Sequence, residues 1–86
     1  MYSIEYKDKA VRFLETLDKE TAGRIYDKIE LLCDDPFPRG SIKIRGSENQ
    51  HRLRVGKYRA LYEIFKEKSL IAIIKIDTRE GFYDNM

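Results

Sequence analysis

The chain has no tryptophan, one cysteine, one histidine and two prolines among its 86 residues, and no apolar run approaches the roughly 18 to 20 residues that span a bilayer. A lone cysteine excludes an internal disulfide. Cys33 closes the apolar run Ile29-Glu30-Leu31-Leu32-Cys33, where a small buried side chain is expected rather than a nucleophile. Cys33 and His51 together fall short of a zinc ligand set, so no metal is expected. A chain this short builds one small core, which argues against a deep pocket and against a small-molecule cofactor. With no signal-peptide pattern ahead of the first structured segment and no membrane span, a cytoplasmic protein is expected, with residues 1–86 as a single domain. The apolar fraction of 42% and charged fraction of 37% suit a folded globule with a heavily charged surface.

Net charge is only +2, but it is unevenly placed. Residues 1–38 carry 6 basic and 9 acidic side chains, and residues 39–86 carry 11 and 6. Between residues 39 and 59, Arg39, Lys43, Arg45, Arg52, Arg54, Lys57 and Arg59 stand against Glu48 alone, a footprint suited to a polyanion.

Tyr2, Ile4 and Tyr6 alternate with Ser3 and Glu5, which predicts a short strand. Ala10, Phe13, Leu14 and Leu17 then follow helical spacing from about Asp8 to Leu17. Asp18 can cap a second helix running to about Cys33, with Ala22, Ile25, Tyr26, Ile29, Leu32 and Cys33 as its apolar stripe. Asp35-Pro36-Phe37-Pro38-Arg39-Gly40 breaks the pattern. Strands are predicted over Ile42–Arg45, Gln50–Val55, Tyr58–Phe65 and Leu70–Ile76. The order β-α-α-β-β-β-β gives an α+β fold in which a two-helix N-terminal hairpin packs on one face of a mostly antiparallel sheet, leaving the other face partly open.

Val55-Gly56-Lys57-Tyr58 fits a two-residue hairpin turn with glycine at the positive-φ position. That register sets Arg54 opposite Arg59 and puts Arg52, Arg54 and Arg59 on one exposed face, with Leu53, Val55, Tyr58, Ala60 and Tyr62 on the other. Opposed like charges weaken a hairpin by up to about 1 kcal/mol, which a phosphate held between fork-shaped guanidinium groups would offset; an acidic neighbour such as Glu63 or Glu48 would do the same. Arg79 follows the last strand closely enough for the sheet edge to bring it beside the hairpin, and Tyr83 offers a phenol or a stacking plane. His51 has the best intrinsic pKa for proton transfer, yet alternation sends it to the apolar face.

His51-Arg52-Leu53-Arg54-Val55-Gly56-Lys57-Tyr58-Arg59-Ala60-Leu61-Tyr62-Glu63-Ile64 resembles the "Y-R-L-R-V-G-D-Y-R-V-L-Y-E-I" hairpin of the RelE/ParE toxin superfamily. Leu14–Asp18 and Arg79–Tyr83 are more loosely similar to its "K-L-D" and "R-R-x-V-Y" signatures. The chain departs from the family in having Asp77-Thr78 where Gly-His commonly precedes the C-terminal arginine. RelE-like members cut messenger RNA in the ribosomal A site and are held by an antitoxin, RelB, whereas ParE-like members poison DNA gyrase. The resemblance implies a metal-independent endoribonuclease with Arg54, Arg59, Arg79 and Tyr83 at the chemistry. Arg52, Arg54, Arg45 and Lys57 would hold RNA phosphates, and the ribosome, mRNA and a RelB-like antitoxin would be its partners. A gyrase inhibitor and a non-catalytic RNA-binding module are the competing expectations.

Overall fold

A computed structural model describes residues 1–84; the side chains of Tyr83 and Asp84 are outside that description. β1 (Ser3–Tyr6) leads into α1 (Asp8–Glu15) and α2 (Lys19–Glu30), which ends in a 3₁₀ turn at Leu31–Cys33. β2 (Ser41–Lys43), β3 (Gln50–Val55), β4 (Tyr58–Phe65) and β5 (Leu70–Thr78) follow, and α3 (Arg79–Asp84) comes after β5.

Helix α1 stops two residues short of the expected Leu17. Thr16 donates to the Phe13 carbonyl from both its N–H (3.0 Å) and its hydroxyl (2.6 Å), which tightens the last turn and closes the helix. Asp18 then caps α2 as expected, its carboxylate accepting the Thr21 N–H at 3.0 Å. The resulting helical hairpin lies on one face of the sheet. Ala10 and Leu14 from α1, with Ile25 and Ile29 from α2 and Leu32 beyond it, close over Leu53, Ala60, Tyr62, Ile64, Ile71, Ile73 and Ile76. Each fully buried aliphatic chain of this size contributes about 1.5–3 kcal/mol. The Tyr62 hydroxyl donates to the Pro36 carbonyl at 2.7 Å, tying the proline-rich crossing to the core. Two residues expected in the α2 stripe sit less deeply: Tyr26 is 39% exposed beside the Tyr6 ring, and Cys33 is half-buried.

The sheet runs β1-β5-β4-β3-β2, antiparallel except for the parallel β1/β5 pair. Along β4/β5 the partner of Leu61 is Lys75 and that of Tyr62 is Ile73, so Ile74 is an extra, bulged residue. The bulge resets the alternation. Ile71, Ile73 and Ile76 all face the helices, while Ala72, Lys75 and Asp77 face the other side.

α3 was not expected from the sequence, and it docks on that other side. Lys75, only 5% exposed, donates its ammonium to the Phe82 carbonyl at 3.1 Å and lies 5.2 Å from the Phe82 ring centroid. Phe82 is fully buried outside the main cluster, so α3 covers part of the face that the two long helices leave open.

Candidate functional site

Gly56 has φ +59° and Lys57 keeps a negative φ, the signature of a type II′ turn. The turn sets Val55 opposite Tyr58, Arg54 opposite Arg59 and Arg52 opposite Leu61, as the sequence implies. Alternation places Arg52, Arg54 and Arg59 on the face away from α1 and α2. On its other flank Arg59 pairs in register with Asp77.

β5 runs on to Thr78, two residues beyond the expected Ile76, and this extension delivers Arg79. Tyr58 pairs with Thr78, and the Arg79 N–H donates to the Lys57 carbonyl at 3.0 Å, which seats Arg79 against the hairpin turn. Thr78 turns the chain into α3 by accepting the Gly81 N–H on its hydroxyl at 3.2 Å. An open cleft results, lined by Arg54, Lys57, Arg59 and Arg79 together with Gly56, Thr78 and Glu80.

Arg59 is the centre of this arrangement, and it is buried rather than exposed, with 8% of its surface accessible. One terminal nitrogen, Nη1, donates to the carbonyls of Gly56 (3.0 Å) and Tyr58 (2.9 Å), while Nε is buried without a partner. Its pKa is lowered by desolvation first and then by Arg52, Arg54 and Arg79, with Glu80 opposing. A guanidinium remains charged through such a shift, which reflects burial first and, after it, the positive potential of the neighbouring arginines.

Among the described residues no acid relieves that potential by an ion pair. Asp77 faces Arg59 in register, but its carboxylate accepts the Thr78 N–H at 2.7 Å and occupies the space where a Gly81 Cβ would lie. Glu63 points instead to Gln50, whose side-chain amide donates to it at 3.5 Å. Among the described residues the ion pairs are Lys7–Glu5 and Arg24–Glu20, both elsewhere. The cleft is therefore a cationic hollow with an orphaned buried N–H, an arrangement suited to a phosphate oxygen.

The other expected residues fall in different places. Arg45 does not join the cleft; it lines a separate depression with Lys43, Ile44, Gly46, Ser47 and Glu48, in the β2/β3 connection at the far end of β3 from Gly56. Tyr83 belongs to α3 by its backbone, but its side chain is outside the described set. His51 lies on the helical face, stacked on Tyr62 (5.5 Å between centroids) and edge-on to Phe37 (5.1 Å). Its pKa is lowered by burial and then by Lys43 and Lys66. The Cys33 thiol is raised in pKa by desolvation, which disfavours the thiolate a nucleophile needs. Glu80, a lining residue, was missed by reading the sequence, as was Lys75, whose one signal was a charge interrupting the apolar run of β5.

Residues 4–81 match the family of the ParE toxin of type II toxin–antitoxin systems, parDE. The chain belongs to the RelE/ParE toxin superfamily. It is thus a type II toxin whose span of family similarity includes the whole arginine hairpin and Arg79 but stops before Tyr83. A curated relative from Methanocaldococcus jannaschii, named for toxin RelE1, is 29% identical over 98% of this chain and 97% of its own length. The RelE–RelB complex from Pyrococcus horikoshii OT3 aligns at a TM-score of 0.80 with 28% identity, covering 91% of this chain and 94% of that one. The isolated RelE toxin of Escherichia coli shares the fold at a TM-score of 0.79 and 18% identity, over 99% of this toxin and 94% of the other chain.

Proposed function

We propose that this toxin is a ribosome-dependent endoribonuclease that cleaves mRNA in the A site and so stops translation in the cytoplasm, with residues 1–86 acting as one domain. The observation that carries the reading is the cleft around Arg59, where Arg54, Lys57 and Arg79 converge with no carboxylate of the described residues in ion-pair contact. Cleavage of RNA needs no metal. The 2′-hydroxyl oxygen attacks the adjacent phosphorus, its proton passes to a base, and the P–O5′ bond breaks as the departing oxygen is protonated, leaving a cyclic phosphate and a 5′-hydroxyl. Charge grows on the non-bridging oxygens in the pentacoordinate phosphorane, where fixed donors act most strongly.

In this reading Arg59 and Arg54 stabilise the phosphorane, Arg79 stands near the leaving oxygen, and Arg52 and Lys57 orient the backbone. Tyr83 is the base or a stacking platform. A free phenol, with a pKa of about 10, and a guanidinium, above about 12, form a poor acid–base pair at neutral pH, so the cations must lower the phenol or the ribosome must assist. The P. horikoshii relative is a RelE–RelB complex, which supports a RelB-like antitoxin as the partner of this toxin too.

The match to the ParE family favours a second reading, inhibition of DNA gyrase. A purified translation system followed by primer-extension mapping separates the two. Cuts within programmed A-site codons support the nuclease, whereas intact mRNA together with a block in a gyrase supercoiling assay replaces it with the second reading.

A further inference from the structure

The cationic surface continues past the cleft. β2 begins at Ser41, which pairs with Leu53, so beside Arg54 the sheet edge is the backbone of Gly40, whose carbonyl accepts the Arg54 N–H at 3.1 Å. Gly40 has φ +94°, a conformation other residues reach only with strain, and its missing side chain leaves a notch in the edge. Lys28 of α2 and Arg39 line this notch together with Arg54, and no carboxylate of the described residues does. Arg54 therefore borders both hollows. The side chains of Lys28, Arg39 and Arg54 make no hydrogen bond or ion pair with another described residue.

Placement in the last turn of α2 gives Lys28 a favourable interaction with the helix dipole, which explains Lys28 alone. It does not explain why Arg39 converges on the same notch, where three like charges repel. A polyanion offsets all three at once.

We propose that Lys28 and Arg39 form a second phosphodiester subsite, bridged by Arg54 to the cleft, so that one RNA strand runs from Arg79 over the Gly40 edge toward the helical side. The proposal rests on the RNA reading of the cleft. A subsite made of cations and backbone reads phosphates and not bases, so it sets affinity and the length of strand engaged without choosing a codon.

The test uses the full-length toxin and uncleavable 2′-O-methyl RNA strands of about three and about ten nucleotides, with affinity followed by fluorescence anisotropy as salt is varied. In the variant carrying Lys28→Ala and Arg39→Ala, the slope of log affinity against log salt for the longer strand falls by about 1.4, because each lost single-strand phosphate contact accounts for roughly 0.7. Trimer affinity stays at the parental value, and Lys28→Arg with Arg39→Lys keeps the parental slope. An unchanged slope for the longer strand, or equal losses on both strands, overturns the subsite while leaving the cleft reading intact. Failure of the parent toxin to bind either strand overturns both.

Discussion

Arg59 joins two roles in one side chain: it satisfies the Gly56 and Tyr58 carbonyls and points positive charge at the cleft. Arg59→Ala removes two hydrogen bonds of about 1 kcal/mol each and relieves a like-charge pairing of up to about 1 kcal/mol, for a net loss near 1 kcal/mol in stability. Its effect on chemistry is larger, about 10²–10³-fold in single-turnover cleavage on programmed ribosomes, the scale of one transition-state donor. Parental cleavage at equal folded protein removes Arg59 as the electrostatic catalyst. His51 supplies the pH signature at this scale. Its folded pKa lies below 6.5 because burial and Lys43 and Lys66 disfavour the charged ring. The unfolded chain therefore binds more protons, so His51 leaves stability untouched above about pH 6.5 and erodes it as pH falls toward the folded pKa. Urea unfolding at pH 5.5 and 7.5 checks this. His51→Gln flattens the difference, whereas a catalytic His51 would change cleavage and leave the unfolding profile alone.

Gly81 governs how α3 sits, because a Cβ there would strike the Asp77 carboxylate. Gly81→Ala drives that carboxylate off the Thr78 N–H or lifts the helix, with an expected loss of about 1–3 kcal/mol. Adding Asp77→Ala clears the space, so a double-mutant cycle by chemical unfolding gives a strong positive coupling; additive losses would mean that α3 is seated by something else. The hairpin was legible in the sequence and α3 was not, for a physical reason. Gly56 fixes the turn type, and once the turn is fixed every residue from Gln50 to Glu63 has its face decided by alternation. α3 has six residues, too few for a periodic stripe, and it is held by Lys75, a contact between elements that local pattern does not encode. Arg45 lies apart from the cleft for the converse reason. Charge density along the chain ignores strand direction, and residues close in sequence to Arg54 can sit at the opposite end of β3.

The whole molecule presents cations on one side of the sheet and exposed apolar side chains at Leu31, Phe37 and Ile42. A partner that covers both kinds of surface resists salt better than RNA does, because apolar burial is not screened. Co-expression with an antitoxin encoded beside this gene should restore growth and give a complex that survives roughly 0.5 M salt on gel filtration. A chain that is harmless alone and copurifies with no such protein would undercut the toxin's proposed partnership. The parallel pairing of β1 with β5 has a consequence for the timing of synthesis. β1 is made first and borders no strand but β5, from which it is separated by all of α1, α2 and the β2–β4 meander. Its pairing must wait for the longest loop closure in the fold, and Arg79 arrives with that same late strand. The cationic cleft is consequently incomplete for most of the chain's own synthesis, and Arg79 takes its place beside Lys57 only when the sheet closes.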